Sequence, residues 1–90
     1  MPWRVEVTER VAKDLASLPR PVLRRIDARI LDLGDDPRPQ GCRKLRGGED
    51  TWRLRVGDYR ILYVVDDARK VVVVARILHR SVAYRRSPSG

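Results

Sequence analysis

Hydrophobic and polar positions alternate with a period of two through Trp52-Arg53-Leu54-Arg55-Val56, pause at Gly57-Asp58, and resume through Tyr59-Arg60-Ile61-Leu62-Tyr63. This pattern predicts two antiparallel strands joined by a two-residue turn. Glycine at the first turn position suits a type II′ hairpin, because glycine reaches φ > 0 at little cost. Pairing Val56 with Tyr59 puts Arg55 directly opposite Arg60 and Leu54 opposite Ile61. Trp52, Leu54, Val56, Tyr59, Ile61 and Tyr63 then share one face, while Arg53, Arg55 and Arg60 share the other. Like charges directly opposite each other destabilise a sheet, so this second face calls for an anionic ligand. An internal partner for Arg60, such as Asp66 or Asp67, is the alternative.

The pattern before the hairpin changes period. Trp3 to Val7 alternates as a short strand. Thr8 is placed to cap a helix from about Glu9 to Leu18, with Val11, Leu15 and Leu18 on one side. Pro19 stops it, and Pro21 suits the first turn of a second helix. That helix runs to about Leu33 with an apolar stripe of Val22, Ile26, Ile30 and Leu33, and Gly34 is expected as its C-cap. Asp35 to Gly41 is turn-rich, and Cys42 to Asp50 reads as a basic, then glycine-rich connector. Asp66 to Lys70 forms a second turn before a β-branched strand, Val71 to Leu78. The segments Ile61–Val65 and Val71–Ala75 are apolar on both faces, so both are expected inside the sheet.

These elements, in the order β-α-α-β-β-β, predict one α+β domain spanning residues 1–90. It is a small, largely antiparallel sheet with the N-terminal helical hairpin packed on one face and the arginines on the other. Composition sharpens the picture: 20 Lys and Arg against 12 Asp and Glu give a net charge of +8. An acidic partner is expected: nucleic acid, an acidic protein, or both. No apolar run is long enough to span a membrane, and a membrane partner is not expected. Cys42 is the single cysteine, so there is no internal disulfide, and no metal site or cofactor is expected. The start of the chain carries no signal-peptide pattern, and a cytoplasmic location is expected.

Cleavage of RNA by its own 2′-hydroxyl requires alignment, stabilisation of charge on the phosphate, and two proton transfers. Arg53, Arg55, Arg60 and Arg80 suit the charge requirement, since guanidinium presents a fixed fork of donors to phosphate. Arginine is a poor base. His79 and Tyr84 are the nearby side chains with other chemistry. A lone histidine such as His79 is more often a surface or structural residue than a catalyst, and Tyr84 could stack on a base or pack as a lid. Trp52 and Tyr63 read as core, and the adjacent Glu49 and Asp50 as solvated loop carboxylates.

The runs Lys44-Leu45-Arg46-Gly47, Trp52 to Tyr63 and His79-Arg80-Ser81-Val82-Ala83-Tyr84 closely resemble the RelE branch of the RelE/ParE toxin superfamily. The resemblance covers nearly the whole chain. It implies a type II toxin that cuts mRNA in the ribosomal A site without a metal, and a cognate acidic, RelB-like antitoxin wrapped around it in a hetero-oligomer. It implies that Arg60 binds the scissile phosphate, that Arg80 serves the leaving group, and that Tyr84 stacks on the nucleotide. Arg53 and Arg55 stand where the best-studied members carry lysines, one of them the general base. The proton acceptor is therefore left open between His79 and a mechanism resting on charge stabilisation. Lys44, Arg46, Arg85 and Arg86 are expected to contact RNA or the ribosome. A ParE-like inhibitor of DNA gyrase, a binding toxin on the same fold, is the alternative function.

Overall fold

The computed structural model describes residues 3–46 and 50–81. Strand β1 (Arg4–Val7) leads into helices α1 (Glu9–Ala16) and α2 (Arg20–Asp32). Four strands follow: β2 (Arg43–Lys44), β3 (Thr51–Val56), β4 (Tyr59–Asp66) and β5 (Val71–His79). The sheet order is β1-β5-β4-β3-β2. The α+β class, the helical hairpin and the central placement of β4 and β5 follow the sequence reading. Three pairings are antiparallel, and β1 runs parallel to β5. One element was not anticipated. Arg43 and Lys44, expected in a connector, form the short edge strand β2 beside β3.

The caps explain the helix boundaries. The Thr8 hydroxyl accepts the Val11 backbone N–H at 3.2 Å, satisfying one of the orphan donors at the start of α1. Pro21 lies in the first turn of α2, as expected. Gly34, however, is not a left-handed cap. Helix α2 runs out through the right-handed residue Leu33, and the Gly34 carbonyl accepts the Trp3 backbone N–H at 3.2 Å.

The core lies between the helices and one face of the sheet. Val11, Ile26, Ile30 and Leu33 from the helical segment meet Leu54, Ile61, Tyr63, Val65, Val72 and Val74. Leu15, Leu18 and Val22 pack against its margin. Burial of each large aliphatic side chain contributes about 1.5–3 kcal/mol.

Strand β5 changes which side chains face this core partway along. Tyr63 pairs with Val74, but Leu62 pairs with Arg76, so Ala75 is an extra residue in the ladder. Val72, Val74 and then Ile77 are buried. Strict alternation would have driven Arg76 into the core; the bulge turns it to the opposite face and brings Ile77 in.

A polar clamp holds the loop after α2 against the sheet. One Arg38 Nη bonds both Asp50 (2.6 Å) and Asp67 (2.7 Å). The guanidinium lies 5.3 Å from the centre of the Trp52 ring, and the Trp52 indole N–H donates to Asp50. Nearby, the buried Tyr63 hydroxyl donates to the Pro37 carbonyl at 2.8 Å. Asp50 is thus a structural ion-pair partner and not a solvated loop carboxylate. Its indole partner, Trp52, is two residues away, but its guanidinium partner, Arg38, is too distant in sequence to be read from local pattern. Asp67 serves Arg38, and Asp66 accepts the Arg69 backbone N–H. The hydrogen bond from Arg38 holds the Asp67 carboxyl below the usual carboxylate range, while burial pushes the Tyr63 phenol above its ordinary value.

Candidate functional site

The hairpin turn sets the register of the site. Gly57 adopts φ +59°, and Asp58 is not left-handed, which fits a type II′ turn. The observed pairs are Val56 with Tyr59, Arg55 with Arg60, and Leu54 with Ile61, as the sequence pattern predicts. Residues directly opposite each other in adjacent strands share a face. The sheet face away from the core therefore carries two cross-strand rows. Arg55, Arg60 and Leu78 form one; Arg43, Arg53, Leu62 and Arg76 form the other. Arg60, on the central strand, is only 6% exposed, which sets it apart from an ordinary solvated surface arginine.

A cleft of about 560 Å³ opens beside β3. Arg43, Arg53, Arg55 and Arg60 line it, together with Arg29 from α2 and the segment Gln40-Gly41-Cys42. No carboxylate lines it. Strand β2 is two residues long, so β3 is uncovered beyond Arg53, and α2 approaches along that side. Five arginines lining one cavity give it a positive potential, and guanidinium donors suit an anionic group such as phosphate.

Arg80 lies just beyond β5. Its backbone N–H donates to the Asp58 carbonyl at 2.7 Å, and its guanidinium stands 3.6 Å from the Asp58 carboxylate. It is thereby anchored to the hairpin turn. His79 does not join the arginine face. It pairs with Tyr59, with the two rings edge-on and their centres 5.1 Å apart, and its Nδ1 accepts the Ser81 backbone N–H at 3.2 Å. The extra residue at Ala75 sets that side of the strand.

Lys44 pairs with Trp52 and so shares the opposite face from Arg43. Lys44 and Arg46 are exposed, and neither lines the cleft. Glu49, Tyr84, Arg85 and Arg86 lie outside the described residues.

Three arginines escaped the sequence reading of the site. Arg43 was assigned to a connector. Arg29 lies outside the apolar stripe of its helix, and nothing in a 3.6-residue period says that it meets a sheet edge. Arg76 carried a usable signal, as the one charged residue inside Val71–Leu78. The Nε atoms of Arg29 and Arg76 are buried and lack a hydrogen-bond partner among the described residues.

No helix among the described residues is long and apolar enough to cross a membrane. A family model for the ParE toxin of type II toxin–antitoxin systems matches residues 5–84. Toxin RelG of Mycobacterium tuberculosis is 36% identical over 87 residues, covering 96% of this chain and all of RelG. A crystal structure of an archaeal RelE–RelB complex from Pyrococcus horikoshii superposes with TM-score 0.82 at 35% identity, over 89% of this chain and 97% of its counterpart. The RelBE2 toxin–antitoxin complex of M. tuberculosis gives TM-score 0.77 at 33% identity, over 89% of this chain and 100% of its counterpart. With the hairpin register, the helical backing and these matches together, the chain belongs to the RelE/ParE superfamily of type II toxin–antitoxin toxins, in its RelE-like branch.

Proposed function

We propose that the protein is an endoribonuclease toxin that cleaves mRNA on the ribosome and so stops translation. The observation that carries this reading is the convergence of Arg53, Arg55 and Arg60 on one cleft without a lining carboxylate. The RelE-named relatives support it. In the proposed step the 2′-oxygen attacks the adjacent phosphorus and loses its proton to solvent. The new 2′-O–P bond forms as the P–O5′ bond breaks, and the 5′-oxygen takes up a proton. The products are a 2′,3′-cyclic phosphate and a free 5′-hydroxyl.

Arg55 and Arg60 are assigned to the non-bridging oxygens, where negative charge grows. Arg53 holds the strand in line for attack. Arg80, tied to the turn through Asp58, is assigned to the departing oxygen, and Tyr84 to stacking on a base. With arginine at both strand positions, acceleration rests on preorganised charge more than on a side-chain base. The chemistry needs no cofactor. An acidic RelB-like antitoxin is the proposed partner in a hetero-oligomer. The RelE–RelB complexes among the structural relatives and the net charge of +8 both support it.

Purified toxin should cut mRNA on translating ribosomes. Arg60→Ala and Arg80→Ala should each lose about 10²–10³-fold in rate, the usual cost of removing one preorganised donor. Full cleavage in both variants would refute the site. The ParE description of the matching family model supports a second reading, inhibition of DNA gyrase. That reading requires purified toxin to block supercoiling while leaving mRNA intact.

A further inference from the structure

The arginine cleft does not end at the hairpin. A second cavity of about 390 Å³ adjoins it, lined by Arg25, Ala28 and Arg29 of α2 with Arg55, Val56 and Gly57. The two cavities share Arg29 and Arg55. No carboxylate lines either one. Arg25 and Arg29 are four residues apart, so they stack as like charges on one helix face, an arrangement that destabilises a helix. Neither has a carboxylate within ion-pair distance among the described residues. The Arg29 Nε is also buried without a hydrogen-bond partner among them. Arg25 is held over the turn: a Cβ on Gly57 would lie 3.2 Å from its Nη2.

Resting on the reading of the hairpin as an RNA-cleaving site, we propose that Arg25 and Arg29 form a second backbone subsite for the same RNA strand. They would hold phosphates flanking the scissile one as the strand passes around the uncovered side of β3. Single-stranded nucleic acid fits this groove better than an antitoxin helix does. A docked amphipathic helix needs several apolar anchors, and the second cavity offers only Ala28 and Val56. A continuous guanidinium track with no acidic lining matches a phosphate backbone.

The test is the salt dependence of binding to a fluorescent RNA octamer made uncleavable by 2′-O-methylation, using isolated toxin without ribosomes. Arg25→Gln/Arg29→Gln should lower the slope of log K against log salt by about 1.4, since each single-strand phosphate contact contributes about 0.7. Arg25→Lys/Arg29→Lys keeps the charge and should restore the slope, which separates lost phosphate contacts from lost folding. An unchanged slope in the glutamine variant would overturn the proposal. So would a defect seen only with ribosomes, which would assign these arginines to ribosomal RNA, or only in antitoxin binding. Because binding is read without cleavage, failure of the wild-type toxin to cut mRNA is a separate result, which rejects the parent reading alone.

Discussion

Arg55→Glu should make the protein more stable while disabling it. Arg55 stands directly across from Arg60, and Arg43 directly across from Arg53. Like charges in directly opposed positions destabilise a sheet, and opposite charges there contribute about 0.2–1 kcal/mol. Replacing Arg55 by glutamate removes one repulsion and creates one attraction, for a combined gain of about 1 kcal/mol. For a domain of this size that raises Tm by about 4–8 °C. Thermal unfolding followed by circular dichroism at low salt measures it. The Debye length shrinks from about 10 Å at 0.1 M salt to about 3 Å at 1 M, so the gap between variant and wild type should narrow at high salt. In parallel, the variant should lose mRNA cleavage, because a carboxylate now faces the incoming phosphate. A Tm equal to or below that of wild type at low salt would refute the account of the arginine pair as a stability cost retained for ligand binding. A destabilised site of this kind is a common cost of activity.

Two further outcomes concern the scaffold. Arg38 holds the Asp67 carboxyl below its ordinary range. A carboxylate depressed in the folded state adds stability above its unfolded pKa of about 3.9 and loses it as pH falls through the folded value. The Tm difference between wild type and Asp67→Asn should therefore be present at pH 6 and shrink as the pH falls below the ordinary carboxylate value; a difference independent of pH would remove the clamp from the account. Tyr63→Phe should cost about 1 kcal/mol and lower Tm by about 4–8 °C, because the Pro37 carbonyl loses its buried donor. An unaltered unfolding curve would show that this hydrogen bond contributes nothing net.

What the amino-acid order determined by itself is local. Alternation through Trp52–Tyr63 and a glycine that accepts φ +59° were enough to put Arg55 opposite Arg60. Register in a two-residue hairpin depends only on the turn and the flanking residues. The cap at Thr8, Pro21 in the first turn of α2, the apolar stripes, and the doubly apolar strands that had to be central were legible for the same reason. The tertiary structure decided everything that depends on elements meeting across the chain. The extra residue at Ala75 sends Arg76 to the arginine face and leaves His79 against Tyr59. No single-strand pattern announces a bulge, because it exists only relative to β4. Arg38 finds Asp50 and Asp67, which neighbouring residues could not foretell. Arg29 belongs to the cleft only because α2 passes the side of β3 that the two-residue β2 leaves uncovered. The paired charges were written in the hairpin; the cavity that gathers them comes from long-range packing.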